Sequence, residues 1–252
     1  EIAAVILEPT GGHWGHFPLP NPGFLHDLRE LTAKYGVVMI MDEVITGFRA
    51  SRGGAQERFQ VLPDLTTLSK ITGGGLACGA VAGRAEILEQ MINEDDTQRV
   101  TNSGTFNGNP LVASAGIACL ELIADEPIND RADSMAERLK SGLTDALIRT
   151  EVAGHLHGVA SMVHLVLGVE CDCGGGICTL PHSRIDEAMT PERTTMLRMA
   201  MLNEGVELMG GMGFMVSSVH TQDDVDLTVD ALERALPALR EELLGVNGVG
   251  PE

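Results

Sequence analysis

Three lysines stand in the 252 residues, at positions 34, 70 and 140. Lys34 and Lys140 fall on predicted amphipathic helices, where a lysine has an ordinary solubilising role. Lys70 instead follows the apolar run Leu65-Thr66-Thr67-Leu68-Ser69 and precedes Ile71-Thr72-Gly73-Gly74-Gly75. An amine at the mouth of a buried strand, with a glycine turn behind it, is placed to react. Desolvation there lowers its pKa and makes the neutral, nucleophilic form accessible.

Two further polar pairs end apolar runs, Glu8-Pro9 and Asp42-Glu43. In open α/β sheets, ligands bind outside the carboxyl ends of the strands. A fixed carboxylate and an unusual lysine converging there describe a pyridoxal 5'-phosphate site. The lysine supplies the Schiff base and then moves a proton, while the acid keeps the ring nitrogen protonated. Taken alone, Asp42 reads as a strand-end cap or ion-pair partner; taken with Lys70, it reads as the ring-nitrogen partner. Rival glycine motifs fail on spacing. After Gly73-x-Gly75 the next glycine is Gly79, one residue too far for a dinucleotide fingerprint, and a P-loop lysine follows its glycines whereas Lys70 precedes them.

The elements that must carry these residues are legible in outline. Residues 1–7 read as a strand, and Asn21-Pro22 opens a helix that stops at Gly36. Val37 to Met41 is a continuous apolar run, the mark of a strand buried on both faces. Leu65 to Ser69 and Ala77 to Ala82 read as further buried strands, and Pro110 opens a helix reaching Asp125. Strand, helix, strand at this spacing predicts a parallel sheet covered by helices.

Beyond Ile128 the pattern changes to a long charged helix, a strand over Met162–Leu167, a helix over Pro191–Asn203, a short strand over 213–218 and a final helix. Thr221-x-x-Asp224 resembles a capping box. Val225, Val229, Leu232, Leu236, Leu239 and Leu243 then form a single-face, core-directed stripe. The fold class expected is α/β, a mostly parallel sheet in residues 1–145, followed by a smaller α+β domain in 146–252.

Composition excludes several classes. Thirty-six acidic against seventeen basic residues give a formal charge of −19, the wrong sign for a nucleic-acid or anionic-membrane surface. No apolar run approaches the roughly 20 residues of a membrane span. The odd count of five cysteines favours reduced thiols in a cytoplasm. Cys171-x-Cys173-x4-Cys178, with His182 beyond, matches no common zinc ribbon or finger, and Gly174-Gly175-Gly176 reads as a flexible loop. No metal is expected there, nor at His13-x-x-His16. Glu43 either lines the site or pairs with Arg49 or Arg52, Arg49 itself reads as a salt-bridge residue, and Trp14 borders the substrate or covers the core.

An ordered set of motifs now comes together. Glu8-Pro9, Asp42-Glu43-Val44-Ile45-Thr46-Gly47-Phe48-Arg49, Pro63-Asp64-Leu65, Ser69-Lys70-Ile71 with its glycines, and Gly104-Thr105-Phe106-Asn107-Gly108-Asn109-Pro110 resemble those of class III aminotransferases. Within that family the chain is most similar to glutamate-1-semialdehyde aminomutase and its aminotransferase relatives. The resemblance implies a fold-type I, pyridoxal-phosphate-dependent homodimer. By matching motif, Lys70 would carry the Schiff base, Asp42 would pair with the pyridinium nitrogen, and Val44 would pack on the cofactor ring. Gly104 and Thr105 would reach the phosphate held by the partner subunit.

The resemblance also shows departures. The family's upstream phosphate-binding turn and stacking aromatic have no counterpart here, so the chain reads as the C-terminal portion of a longer enzyme. Its aminomutases carry an acid just before a Gly-Phe-Met segment. Met209-Gly210-Gly211-Met212-Gly213-Phe214-Met215 has none, which favours amino transfer between a small-molecule donor and acceptor over intramolecular aminomutation. A truncated module that only binds cofactor or dimerises is the remaining alternative.

Overall fold

The computed structural model describes residues 1–10 and 23–243, so Trp14, His13, His16 and the Asn21-Pro22 helix start lie outside the described residues. The chain divides into two compact units, with the division at Pro127–Ile128. It falls earlier than the 145 expected from sequence. The reason is that the long helix over Ile128–Thr150 buries Ala136, Leu139, Leu143 and Leu147 in the second unit's core.

The first unit alternates strands and helices: β1 (Ala4–Leu7), α1 (Phe24–Tyr35), β2 (Val38–Asp42), α2 (Gly54–Arg58), β3 (Leu65–Ser69), β4 (Gly79–Gly83), α3 (Ala85–Leu88) and α4 (Pro110–Asp125). The strands lie in the order β1-β2-β3-β4. The first two pairings are parallel, with Leu7 opposite Met41 and Asp42 opposite Thr67. The third is antiparallel, so the sheet is mixed. Met39 and Met41 are fully buried, and with Leu25 of α1 and Val61 they form this unit's core. α1 ends where expected, at Gly36 in the left-handed conformation. The strand expected over 77–82 as buried is instead exposed along β4. Its Gly-Ala-Val-Ala-Gly side chains are small, and among the described residues its only strand neighbour is β3.

One buried carboxylate ties this sheet together. Asp64, 5% exposed at the entry to β3, accepts from the Met39 backbone N–H at 2.8 Å, and its own N–H donates to the Met39 carbonyl at 2.8 Å. The same carboxylate pairs with Arg29 of α1 at 2.7 Å and with Arg84 beyond β4 at 3.0 Å. Burial pushes the Asp64 carboxyl up, but the Met39 N–H and the two guanidinium groups outweigh it and hold the pKa below the ordinary value.

The second unit holds α5 (Ile128–Thr150), β5 (Gly154–Val159), β6 (Met162–Leu167), α6 (His182–Ala188), α7 (Pro191–Asn203), β7 (Gly213–Met215) and α8 (Gln222–Leu243). Its sheet is antiparallel in the order β5-β6-β7, and every residue of β6 is buried. β5 went unread in the sequence because Gly154-His155-Leu156-His157-Gly158 has neither alternation nor an apolar run. The stripe on α8 is buried at Val225, Val229, Leu232, Leu236 and Leu239; the Leu243 side chain lies outside the described part. Thr221 and Asp224 form the expected reciprocal cap, with the Thr221 N–H donating to Asp224 at 2.7 Å and the Asp224 N–H to Thr221 Oγ1 at 3.3 Å.

Asp64→Asn is expected to lower stability at neutral pH by about 2 kcal/mol, since it removes the charge shared by two arginines. Because the folded pKa is depressed, the Asp64 contribution is present above the ordinary carboxylate range and is lost as pH falls through the folded value. Urea unfolding of both proteins at neutral and strongly acid pH checks this: the two midpoints should converge in acid.

Candidate active site

Lys70 sits immediately beyond β3, as the first residue of a 3-10 turn running to Gly73. Its φ is +51°, a left-handed conformation that a lysine adopts at an energetic cost and that occurs preferentially at functional positions. What holds this turn is its contact with α4, which packs on residues 70–73. A Cβ on Gly74, whose φ is +58°, would lie 2.3 Å from the Ala115 carbonyl oxygen, and one on Gly116 would lie 2.5 Å from the Thr72 oxygen. Turn and helix therefore meet backbone to backbone, an approach open only to glycine. Ser69 adds a hydrogen bond from its hydroxyl to the Cys78 carbonyl at 2.5 Å.

Lys70 was expected to be desolvated; its side chain is exposed instead. The turn carries it past the strand end to the rim of an open groove of about 600 Å³, lined by Ser69, Ile71, Leu76, Cys78 and Cys119 among others. The buried lysine is Lys140, expected on a surface; it is 7% exposed, donates to the Gly175 carbonyl at 2.8 Å and pairs with Glu137 at 2.7 Å.

Asp42 is half-buried at the carboxyl end of β2. Its Oδ1 accepts from the Thr67 hydroxyl at 3.0 Å and from the Val44 N–H at 3.1 Å. The Glu43 N–H continues the ladder to the Thr67 carbonyl at 3.0 Å. Among the described residues Oδ2 takes no hydrogen bond from the protein, so one carboxylate oxygen is fixed and the other is available to an N–H donor. Thr67, which sequence reading passed over, thus orients Asp42 from the neighbouring strand. Since β2 and β3 are parallel, Asp42 and Lys70 stand at the same edge of the sheet on adjacent strands. Glu8 follows β1 at that edge too, one residue past the Leu7–Met41 pair.

Other predicted residues are placed differently. Glu43, only 1% exposed, forms neither of the ion pairs considered from sequence. Its carboxylate accepts from the N–H groups of Ala55 at 2.5 Å and Gln56 at 3.1 Å, from Thr46 at 3.0 Å and from the Gln56 amide at 3.0 Å. It caps the start of α2 and lines a different groove, with Phe48, Gln56 and Leu68. Arg52 donates to the Glu126 carbonyl at 3.2 Å. Gly104 and Thr105 lie in an exposed turn closed by the Asn107 N–H on the Gly104 carbonyl at 3.0 Å. Asn109 then caps α4 through the N–H groups of Leu111 and Val112, with Pro110 in the first turn. Neither Asp42, Val44, Gly104 nor Thr105 lines the groove at Lys70.

Comparison with known proteins places this arrangement. The profile of the class-III aminotransferases matches residues 1–236. The glutamate-1-semialdehyde 2,1-aminomutase of Thermomicrobium roseum is 38% identical over 243 residues, which are 94% of this chain and 53% of that protein. An omega-transaminase from Sphaerobacter thermophilus superposes with a TM-score of 0.77 at 31% identity, covering 94% of this chain and 52% of that one. A structure described as a transaminase with PLP bound gives the same score at 23% identity, a likeness of fold, covering 96% and 53%. The chain spans about half the length of the curated relatives it matches.

The contact between turn and helix yields a direct expectation. Gly116→Ala should cost about 1–3 kcal/mol through forced overpacking against the Thr72 carbonyl, and Gly74→Ala at least as much because its φ is also wrong for alanine. Denaturant midpoints of the two variants, set beside an alanine substitution at the unencumbered Gly79, measure the difference.

Proposed function

This chain belongs to the class-III aminotransferase family, and from that premise we propose that its site transfers an amino group between an amine or amino acid and a keto acid or aldehyde. The observation that carries the proposal is that Asp42 and Lys70 both stand at the carboxyl ends of the adjacent parallel strands β2 and β3. The residues fit pyridoxal 5'-phosphate: an exposed amine beside an open groove, and a carboxylate with one fixed and one available oxygen. When bound, that cofactor withdraws electrons from the carbon bearing the amino group and so makes its proton labile.

The roles of the chain's own residues follow. Lys70 is the covalent anchor and the amine that carries the proton between positions on the substrate. Its left-handed backbone and the glycine contact behind it fix where Nζ emerges. Asp42, held by Thr67 and the Val44 N–H, accepts a hydrogen bond from the ring nitrogen and keeps it protonated. Val44, half-buried two residues on, would pack against the ring of the bound cofactor.

Gly104 and Thr105 serve the phosphate of a partner subunit in a homodimer. Supporting this, the apolar side chains of Phe106 and Leu111 beside them are 79% and 68% exposed, as residues destined for an interface would be. The five free thiols support a cytoplasmic setting. Among the described residues, no helix is long and apolar enough to cross a membrane.

A second reading, intramolecular aminomutation of the glutamate-1-semialdehyde type, draws on the Thermomicrobium roseum relative. Against it stands the Met209–Met215 stretch, which has no carboxylate.

Borohydride reduction of the chain incubated with pyridoxal phosphate, followed by peptide mass spectrometry, tests the anchor. The three lysines give clean alternatives: label on Lys70 with exposed Lys34 unmodified is expected, and label spread to Lys34 or missing from Lys70 would overturn the assignment. Asp42→Asn should leave that label in place while turnover falls roughly 10²-fold or more. Turnover that needs an external amine and releases a keto product identifies a transferase; turnover with neither identifies the mutase.

A further inference from the structure

The segment from Glu170 to Pro181 was expected to be a loose loop with incidental thiols, and the fold treats it otherwise. The Gly158 N–H of β5 donates to the Gly176 carbonyl at 2.9 Å, the Gly176 N–H closes a turn on the Cys173 carbonyl at 3.0 Å, and buried Lys140 donates to the Gly175 carbonyl. The loop is fastened to β5 and α5, and its three cysteines turn inward. Cys178 is 1% exposed within the unit's core, and Cys171 and Cys173 are half-buried against it.

The residue they converge on is His155 of β5, whose side chain is buried. Its Nδ1 donates to the Val169 carbonyl at 2.8 Å, which leaves Nε2 with its lone pair toward the thiols. Cys178 Sγ lies 3.4 Å from that Nε2 and 3.7 Å from Cys171 Sγ. The ligand atoms of His155, Cys171 and Cys173 lie within 4.8 Å of one another, as do those of His155, His157 and Cys178, so two triads share His155. Tetrahedral zinc, with Zn–S of about 2.3 Å and Zn–N of about 2.0–2.1 Å, requires S···S edges of about 3.8 Å and S···N edges of about 3.5 Å. The Cys178–His155 and Cys178–Cys171 distances match these spacings before any ion is placed. His182, the histidine suggested by sequence, is elsewhere, paired with Asp186 at 3.2 Å.

We propose that His155, Cys171, Cys173 and Cys178 form a structural zinc site that staples the 171–178 loop to β5. Once the two triads close on one ion, three sulfurs and the His155 imidazole would fill a tetrahedral shell, a staple with no open position for substrate. The hydrogen bond from His155 to the Val169 carbonyl holds the imidazole in the orientation a zinc ligand needs. Three thiolates and one Zn²⁺ leave a net charge of −1. Binding deprotonates each thiol and releases those protons to solvent, with no change of oxidation state.

The test uses the whole reduced chain, stripped with a chelator and titrated with Co²⁺. The expected result is one equivalent bound, with the intense visible bands of tetrahedral Co²⁺ and near-ultraviolet sulfur-to-metal charge transfer, both erased by one equivalent of Zn²⁺. Removing a ligand should weaken binding by more than the roughly 10–100-fold cost of losing an outer-shell partner. Cys171→Ser, at a half-buried position, is the variant least prone to misfold; His155→Gln is the second, and circular dichroism checks both. His182→Gln should bind as the parent does. The proposal is overturned by six-coordinate, weakly coloured Co²⁺, or by bands that survive in Cys171→Ser and His155→Gln. It is equally overturned if the anaerobically purified chain carries a Cys171–Cys178 disulfide, seen as a non-reduced mass two protons lighter. Because the readout involves neither pyridoxal phosphate nor turnover, it stands or falls apart from the transferase reading.

Discussion

The bond network around Asp64 is the constraint on which the first unit depends. A single buried carboxylate fixes the entry of β3 against β2 through the Met39 backbone, binds α1 through Arg29 and reaches past β4 to Arg84. Once that entry is set, the parallel register follows residue by residue, and three positions later Thr67 stands opposite Asp42. β3 then runs on to Ser69, two residues past the partner of Asp42 at the end of β2. A slip of one residue would turn every side chain of β3 to the other face. It would also part Asp42 from the hydroxyl that orients it. The ion pairs at the base of the sheet are thus connected, through backbone hydrogen bonds, to the placement of Asp42 and Lys70 at its top.

Placement of Lys70 adds a second constraint of a different kind. Strand register decides where β3 ends, but the direction in which the lysine leaves is set by a 3-10 turn with a left-handed first residue. That conformation persists because Gly74 and Gly116 let the turn and α4 touch through their backbones. The helix in question is the one that begins at Asn109-Pro110, directly after Gly104-Thr105. A single element therefore supports the lysine turn near its middle and presents the glycine-threonine turn at its start.

The second unit is organised by burial. β6 is covered on both faces, and α5 and α8 contribute continuous apolar stripes to one core. Among the residues the fold buries here are Lys140, His155 and Cys178, which are costly to bury without partners. Each has one: Lys140 a carbonyl and a carboxylate, His155 a carbonyl and a thiol, Cys178 the imidazole.

Local pattern by itself determined much of this protein. Proline and glycine boundaries place α4 and the end of α1, the 3.6-residue apolar period places α8, and the unbroken apolar run of residues 37–41 places β2, because these signals act between near neighbours in the chain. The motif order likewise determined the family. Only the tertiary structure decided what depends on groups far apart in sequence. Glu43 went to the N–H groups of α2 rather than to an arginine, because backbone donors 12 and 13 residues away were better placed. Lys70 came out exposed and Lys140 buried, the reverse of what their local sequences suggest, because burial is set by which element packs on top. The imidazole beside Cys178 belongs to His155, on a strand with no readable period. Spacing along the loop cannot report a ligand that arrives from another element, since coordination distance is a property of space and not of sequence.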